Sequence, residues 1–121
     1  MKLFEVSTGR RSDGGLDFRL TGELDLSTLD QLETVLDDTL DGEGTLAVVD
    51  LRKLTFLDSS GLRVLLALHS SLREKGGRLV LVQGPRRVHR VLELTRADEE
   101  LEIIAEPEQI GPQPDVSAGA G

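Results

Sequence analysis

The chain of 121 residues contains no cysteine, no tryptophan and no tyrosine. Without thiols it can form neither disulfides nor thiolate metal sites, and cysteine nucleophiles and iron–sulfur ligation fall with them. Such a chain suits a reducing compartment, and a cytoplasmic location is expected. Its only aromatics are Phe4, Phe18 and Phe56, too few to build stacking platforms for single-stranded nucleic acids or sugars. Cationic charge is also scarce, with 14 Lys and Arg against 22 Asp and Glu and a formal net charge of −8. Phosphate backbones and anionic lipid surfaces are bound through clustered positive charge, so neither nucleic acid nor membrane is an expected partner. No apolar run approaches the roughly 20 residues needed to span a bilayer, and Glu5 interrupts the start of the chain.

What remains is an aliphatic core-former of single-domain length. Leu16, Phe18 and Leu20 alternate with Asp17 and Arg19, the period-two pattern of a strand with one wet face, and Lys2–Thr8 reads similarly. Arg10–Gly15 lies between them with two glycines, which predicts a hairpin. Thr45–Leu51 and Arg78–Val82 are continuous apolar runs, expected as central parallel strands, and Leu101–Ala105 is a candidate last edge strand.

Helical spacing occurs three times. Leu29, Leu32, Leu36 and Leu40 form one apolar face, beginning at Ser27 or Thr28 and ending at Gly42. Leu62, Leu65, Leu66, His69 and Leu72 mark a second, more apolar helix that Gly76-Gly77 stops. Val88, Val91 and Leu92 face inward on a third, with Pro85 in its first turn and Arg86, Arg87 and Arg90 outward. The expected fold is a single α/β domain with a mixed sheet, in the order β-β-α-β-α-β-α-β, over residues 1–105. Residues 106–121 hold three prolines and three glycines with little apolar bulk and are expected to form a disordered C-terminal tail.

Leu54–Leu65 (LTFLDSSGLRVL) joins the end of a buried strand to the most apolar helix, where sites collect in parallel sheets. Taken alone, Asp58, Ser59 and Ser60 read as a helix cap and Gly61 as a packing glycine. The sequence Asp58-Ser59-Ser60-Gly61-Leu62 nevertheless resembles the signature of STAS domains and, within them, of the bacterial anti-sigma factor antagonists. Leu20-Thr21-Gly22-Glu23-Leu24-Asp25 resembles that family's strand-end segment, and Val49-Asp50-Leu51 its central strand. The likeness runs in order from about residue 2 to residue 105.

The resemblance implies a protein without catalytic residues or cofactors of its own, and without a bound metal. It implies phosphorylation on Ser60, with Ser59 as the alternative acceptor, by an anti-sigma factor that is also a serine kinase. In the unphosphorylated state such a protein binds the anti-sigma factor and frees a sigma factor; phosphorylation releases it, and a serine phosphatase resets it. Asp25 is implied to lie beside the acceptor, and Asp25, Asp58, Ser59, Ser60, Gly61 and Leu62 to form the partner-binding surface.

Two rivals share parts of this pattern. A STAS regulatory subunit of a transporter, stressosome-type or two-component assembly would carry the same fold and motif. A small hydrolase or phosphotransferase would use Ser60 or Asp58 directly, but the serine lacks the glycine two residues before it that a nucleophile elbow uses. The only histidines, His69 and His89, fall on helices at positions that read as packing and surface.

Overall fold

The apolar runs and the two leucine-rich periodicities settle into five strands and three helices. The computed structural model describes residues 3–40 and 42–111. In chain order these are β1 Phe4–Arg10, β2 Leu16–Leu24, α1 Leu29–Thr39, β3 Leu46–Leu57, α2 Ser59–Glu74, β4 Arg78–Val82, α3 Arg86–Leu94 and β5 Glu102–Ile104. Short 3-10 turns lie at Ala97–Glu99 and Pro107–Gln109. The element order is the expected one, and the sheet is mixed. Among the described residues no helix is long and apolar enough to cross a membrane.

The strands lie side by side in the order β1-β2-β3-β4-β5. The first pair is antiparallel and closes through the expected hairpin, in which Arg11 N–H donates to Gly15 C=O at 2.8 Å and Gly14 adopts φ 91°. Every later pair is parallel, because each crossover passes through a helix. Register aligns Phe18, Val49 and Leu81 in one row. That row joins a single buried cluster with Leu32 and Leu36 of α1, Leu62, Leu65 and Leu72 of α2, and Val88 and Leu92 of α3. Each such side chain contributes about 1.5–3 kcal/mol when fully removed from water. The neighbouring row, Arg19, Asp50 and Val82, belongs to the opposite face.

Several boundaries differ from the expectations, each for a local reason. β3 does not end at Leu51 but continues to Leu57, because beyond Leu51 it still pairs with the extended end of β2, from Thr21↔Lys53 to Leu24↔Leu57. Only Leu54 and Leu57 of this extension are buried, three residues apart where the register shifts, so no period-two alternation marks it as strand. α1 ends at Thr39, not Gly42, with the Thr39 hydroxyl bonded back to Val35 C=O at 2.5 Å. α2 starts at Ser59, three residues ahead of its first leucine. Pro85 caps α3 from outside the helix, its carbonyl accepting from Val88 and His89 N–H at 2.9 Å each.

Glu106–Gly111, expected within the tail, instead turns against the sheet. Gln109 Oε1 accepts from the N–H groups of Ala105 and Glu106 at 2.9 and 2.8 Å, and Arg78 Nη1 donates to Gly111 C=O at 2.8 Å. Residues 112–121 and Lys2 lie outside the described residues.

Candidate functional site

Parallel strands leave their loops at the carboxyl ends, where helix N-termini gather. Here β2 feeds α1 through Asp25–Thr28, and β3 feeds α2 through Asp58. The two connections are joined directly. Asp58 is the N-cap of α2, and its Oδ1 accepts from Gly61 N–H at 3.0 Å. Its Oδ2 accepts from Leu26 N–H at 3.3 Å, and its own N–H donates to Leu24 C=O at 3.3 Å. One carboxylate thus ties the start of α2 to the loop that leads into α1.

Asp25 organises that loop. Its Oδ1 accepts from the Ser27 backbone N–H at 2.9 Å and from the Ser27 hydroxyl at 2.7 Å. Thr28, the residue before α1, turns its side chain backward, donating to Glu23 C=O at 2.7 Å and accepting from Asp25 N–H at 3.0 Å. These bonds satisfy polar groups in a place where Asp25 is only 3% exposed.

Gly61 is required by contact. A Cβ there would stand 2.7 Å from Leu24 Cγ and 2.8 Å from Leu57 Cδ1. The first turn of α2 therefore sits directly on the ends of β2 and β3. That seating leaves Ser59 exposed and Ser60 half-buried. Among the described residues neither hydroxyl makes a hydrogen bond, and no base touches Ser60; His69 faces inward on α2 and His89 lies on α3.

Ser60 opens into a groove of about 450 Å³ between α1 and α2, floored by Leu29, Leu36, Val64 and Leu68. Glu33 and Asp37 stand on its α1 side and Arg63 on its α2 side. A neighbouring depression of about 410 Å³ is lined by Asp25, Ser27, Phe56 and Asp58, and Leu26 borders both hollows.

The six residues expected at this surface are therefore gathered at one end of the sheet but not equally accessible. Ser59 is exposed, Asp58 and Ser60 are half-buried, and Asp25, Gly61 and Leu62 are buried, Leu62 at 5% exposure. The buried three shape the surface from beneath. Sequence reasoning missed the apolar part: Leu26 is 74% exposed and Phe56 40%. Their signal was a single leucine in a polar loop and a phenylalanine that stays exposed between the buried Leu54 and Leu57.

Comparison with known proteins agrees with this architecture. Residues 8–110 match the family model described as the STAS domain. The chain is 35% identical over 83 residues to the anti-sigma F factor antagonist of Paenibacillus polymyxa, covering 68% of this chain and 71% of the relative. It is 30% identical over 98 residues to the anti-sigma-B factor antagonist of Listeria monocytogenes, covering 81% and 86%. The crystal structure of an anti-sigma factor antagonist from Mycobacterium paratuberculosis superposes with a TM-score of 0.71 at 25% identity, covering 89% of each chain. With a family model spanning residues 8–110 and relatives at least 30% identical over two thirds or more of both chains, this chain belongs to the STAS domain family.

Proposed function

We propose that this protein is a cytoplasmic anti-sigma factor antagonist that works by reversible contact with an anti-sigma factor acting also as a serine kinase. The observation that carries the reading is the position of Ser60: an unbonded hydroxyl on the first turn of α2, at the mouth of a groove with an apolar floor. The names of its relatives point to an anti-sigma factor as the partner.

In the proposed cycle the unphosphorylated face binds the anti-sigma factor, and the sigma factor held by it is set free. The kinase then transfers a phosphoryl group from ATP. The Ser60 Oγ–phosphorus bond forms as the bond from the γ-phosphorus to the ADP oxygen breaks, and the hydroxyl proton passes to a base on the kinase. A serine phosphatase hydrolyses the ester and restores the binding form.

Charge makes this an effective switch without a change of fold. A phosphoserine adds about −1.5 to −2 charges. The local gain at the start of a helix is about 0.3–1 kcal/mol, far too little to rebuild a packed domain. At a desolvated interface the cost of an uncompensated charge is several kcal/mol, whereas about 1.4 kcal/mol already changes affinity tenfold. The modification therefore acts on binding and leaves the sheet as it is. Ser60 is favoured over Ser59 because Ser60 lines the groove and Ser59 does not.

The test is phosphorylation by the cognate kinase with ATP, read by intact-mass spectrometry beside a binding measurement. The wild type should gain about 80 Da, one phosphoryl group. Ser60→Ala should gain nothing yet still bind, and Ser60→Asp should bind poorly. A full mass gain in Ser60→Ala would move the acceptor to Ser59.

A further inference from the structure

Arg63 follows Ser60 by three positions on α2, and residues so spaced lie next to each other on a helix face. Both line the groove between α1 and α2. Arg63 is exposed, and among the described residues it makes no hydrogen bond or ion pair, although Glu33 and Asp37 stand on the other side of the same groove. It is the one cation among the described residues lining that groove. A doubly charged group on Ser60 would thus face carboxylates on α1 and Asp58 two positions earlier, with a single unengaged guanidinium within reach.

We propose that Arg63 is the receiver of the Ser60 phosphate: once the ester forms, the guanidinium closes on two phosphate oxygens across one helical turn, and the pair fills the end of the groove. This rests on Ser60 being the phosphorylated residue. Arginine suits the task because its planar fork donates two parallel hydrogen bonds to a phosphate. The pairing gives the phosphorylated form two properties. The phosphate is held in place over the groove instead of sweeping through solvent, so it obstructs docking as a fixed body. It is also partly neutralised within the protein, which keeps the modified domain stable beside Glu33 and Asp37.

The experiment uses the full chain with phosphoserine incorporated at position 60 during translation, so no kinase is needed. The phosphate is titrated by phosphorus-31 NMR in the otherwise unchanged chain and with Arg63→Gln, Arg63→Lys or Arg73→Gln. Arg73 is an exposed residue in the last turn of α2 and controls for net charge. A free phosphoserine has its second ionisation near pH 6. A neighbouring cation favours the dianion, so that ionisation should rise on the order of half a pH unit in Arg63→Gln, less in Arg63→Lys, and not at all in Arg73→Gln. Equal titration in the unchanged chain and Arg63→Gln would overturn the proposal, as would an equal shift in Arg73→Gln. Failure of a kinase to modify Ser60 would count against the acceptor and not against this pairing; an unshifted titration would do the reverse.

Discussion

Asp58 accepts a hydrogen bond from the backbone N–H of Leu26 at 3.3 Å, across 32 residues of sequence. The same carboxylate caps α2 through Gly61 N–H at 3.0 Å. The lip of the groove and the first turn that carries Ser60 are thereby parts of one rigid unit. Asp58→Ala loses both bonds and should lower stability by about 1–2 kcal/mol in urea denaturation. Asp58→Asn keeps an acceptor for only one of the two N–H groups and should fall between. Equal stability of all three forms would show that the bridge contributes nothing.

Gly22 offers a harsher test of the strand-end segment. It adopts φ +98°, and a Cβ would sit 2.0 Å from Leu3 C=O, the oxygen that accepts from Glu23 N–H at 2.9 Å. The obstacle is backbone, which cannot rotate away. Left-handed strain alone costs roughly 1–2 kcal/mol for a residue with a side chain. With the clash added, Gly22→Ala should destabilise by about 3 kcal/mol or more, seen as a lower denaturant midpoint. A shift of less than about 1 kcal/mol would mean that β1 gives way easily.

His69 lies in the inward face of α2 at 9% exposure, and among the described residues neither ring nitrogen has a hydrogen-bond partner. Unpaired buried polar atoms cost about 1–3 kcal/mol each way they are counted. His69→Leu, similar in bulk, should raise stability by about 1 kcal/mol at neutral pH. A loss of stability would point to a role for the imidazole beyond packing.

Asp50 gives a pH dependence with a definite sign. Partial burial works to raise its carboxyl, but hydrogen bonds from the Arg52 side chain and backbone N–H outweigh it and hold the group below its ordinary 3.8. A carboxyl depressed in the folded state adds stability that is present above the unfolded value and lost as pH falls through the folded one. The wild type should therefore lose its advantage over Asp50→Asn below about pH 4. Parallel stability curves from pH 6 to pH 2 would contradict this. Arg52 is exposed, so salt should shrink the difference.

Much of this molecule was written in short-range pattern. The alternation of Leu16, Phe18 and Leu20, the continuous runs Thr45–Leu51 and Arg78–Val82 and the leucine spacing of α1 and α2 each appear where local periodicity placed them. What escaped depended on partners far away in sequence. Arg52–Leu57 is strand only because β2 lies alongside it, and Asp58 is more than a cap only because Leu26 comes within reach. The serine motif was legible as residues, but not the groove beside it, since Leu26, Glu33 and Asp37 share a groove with Ser60 only after α1 and α2 have packed.

The length of β3 has one last consequence. Its pairing with β4 stops at Asp50↔Val82, so from Leu51 to Leu57 it follows β2 on one flank alone. A bare strand margin is a template on which another chain can crystallise into a shared sheet. Arg52 and Lys53 sit at the head of that margin, both exposed. Arg52, engaged by Asp50, and Lys53 thus set charged side chains beside the unpaired flank, the kind of residue that discourages edge-to-edge pairing next to the serine-bearing turn.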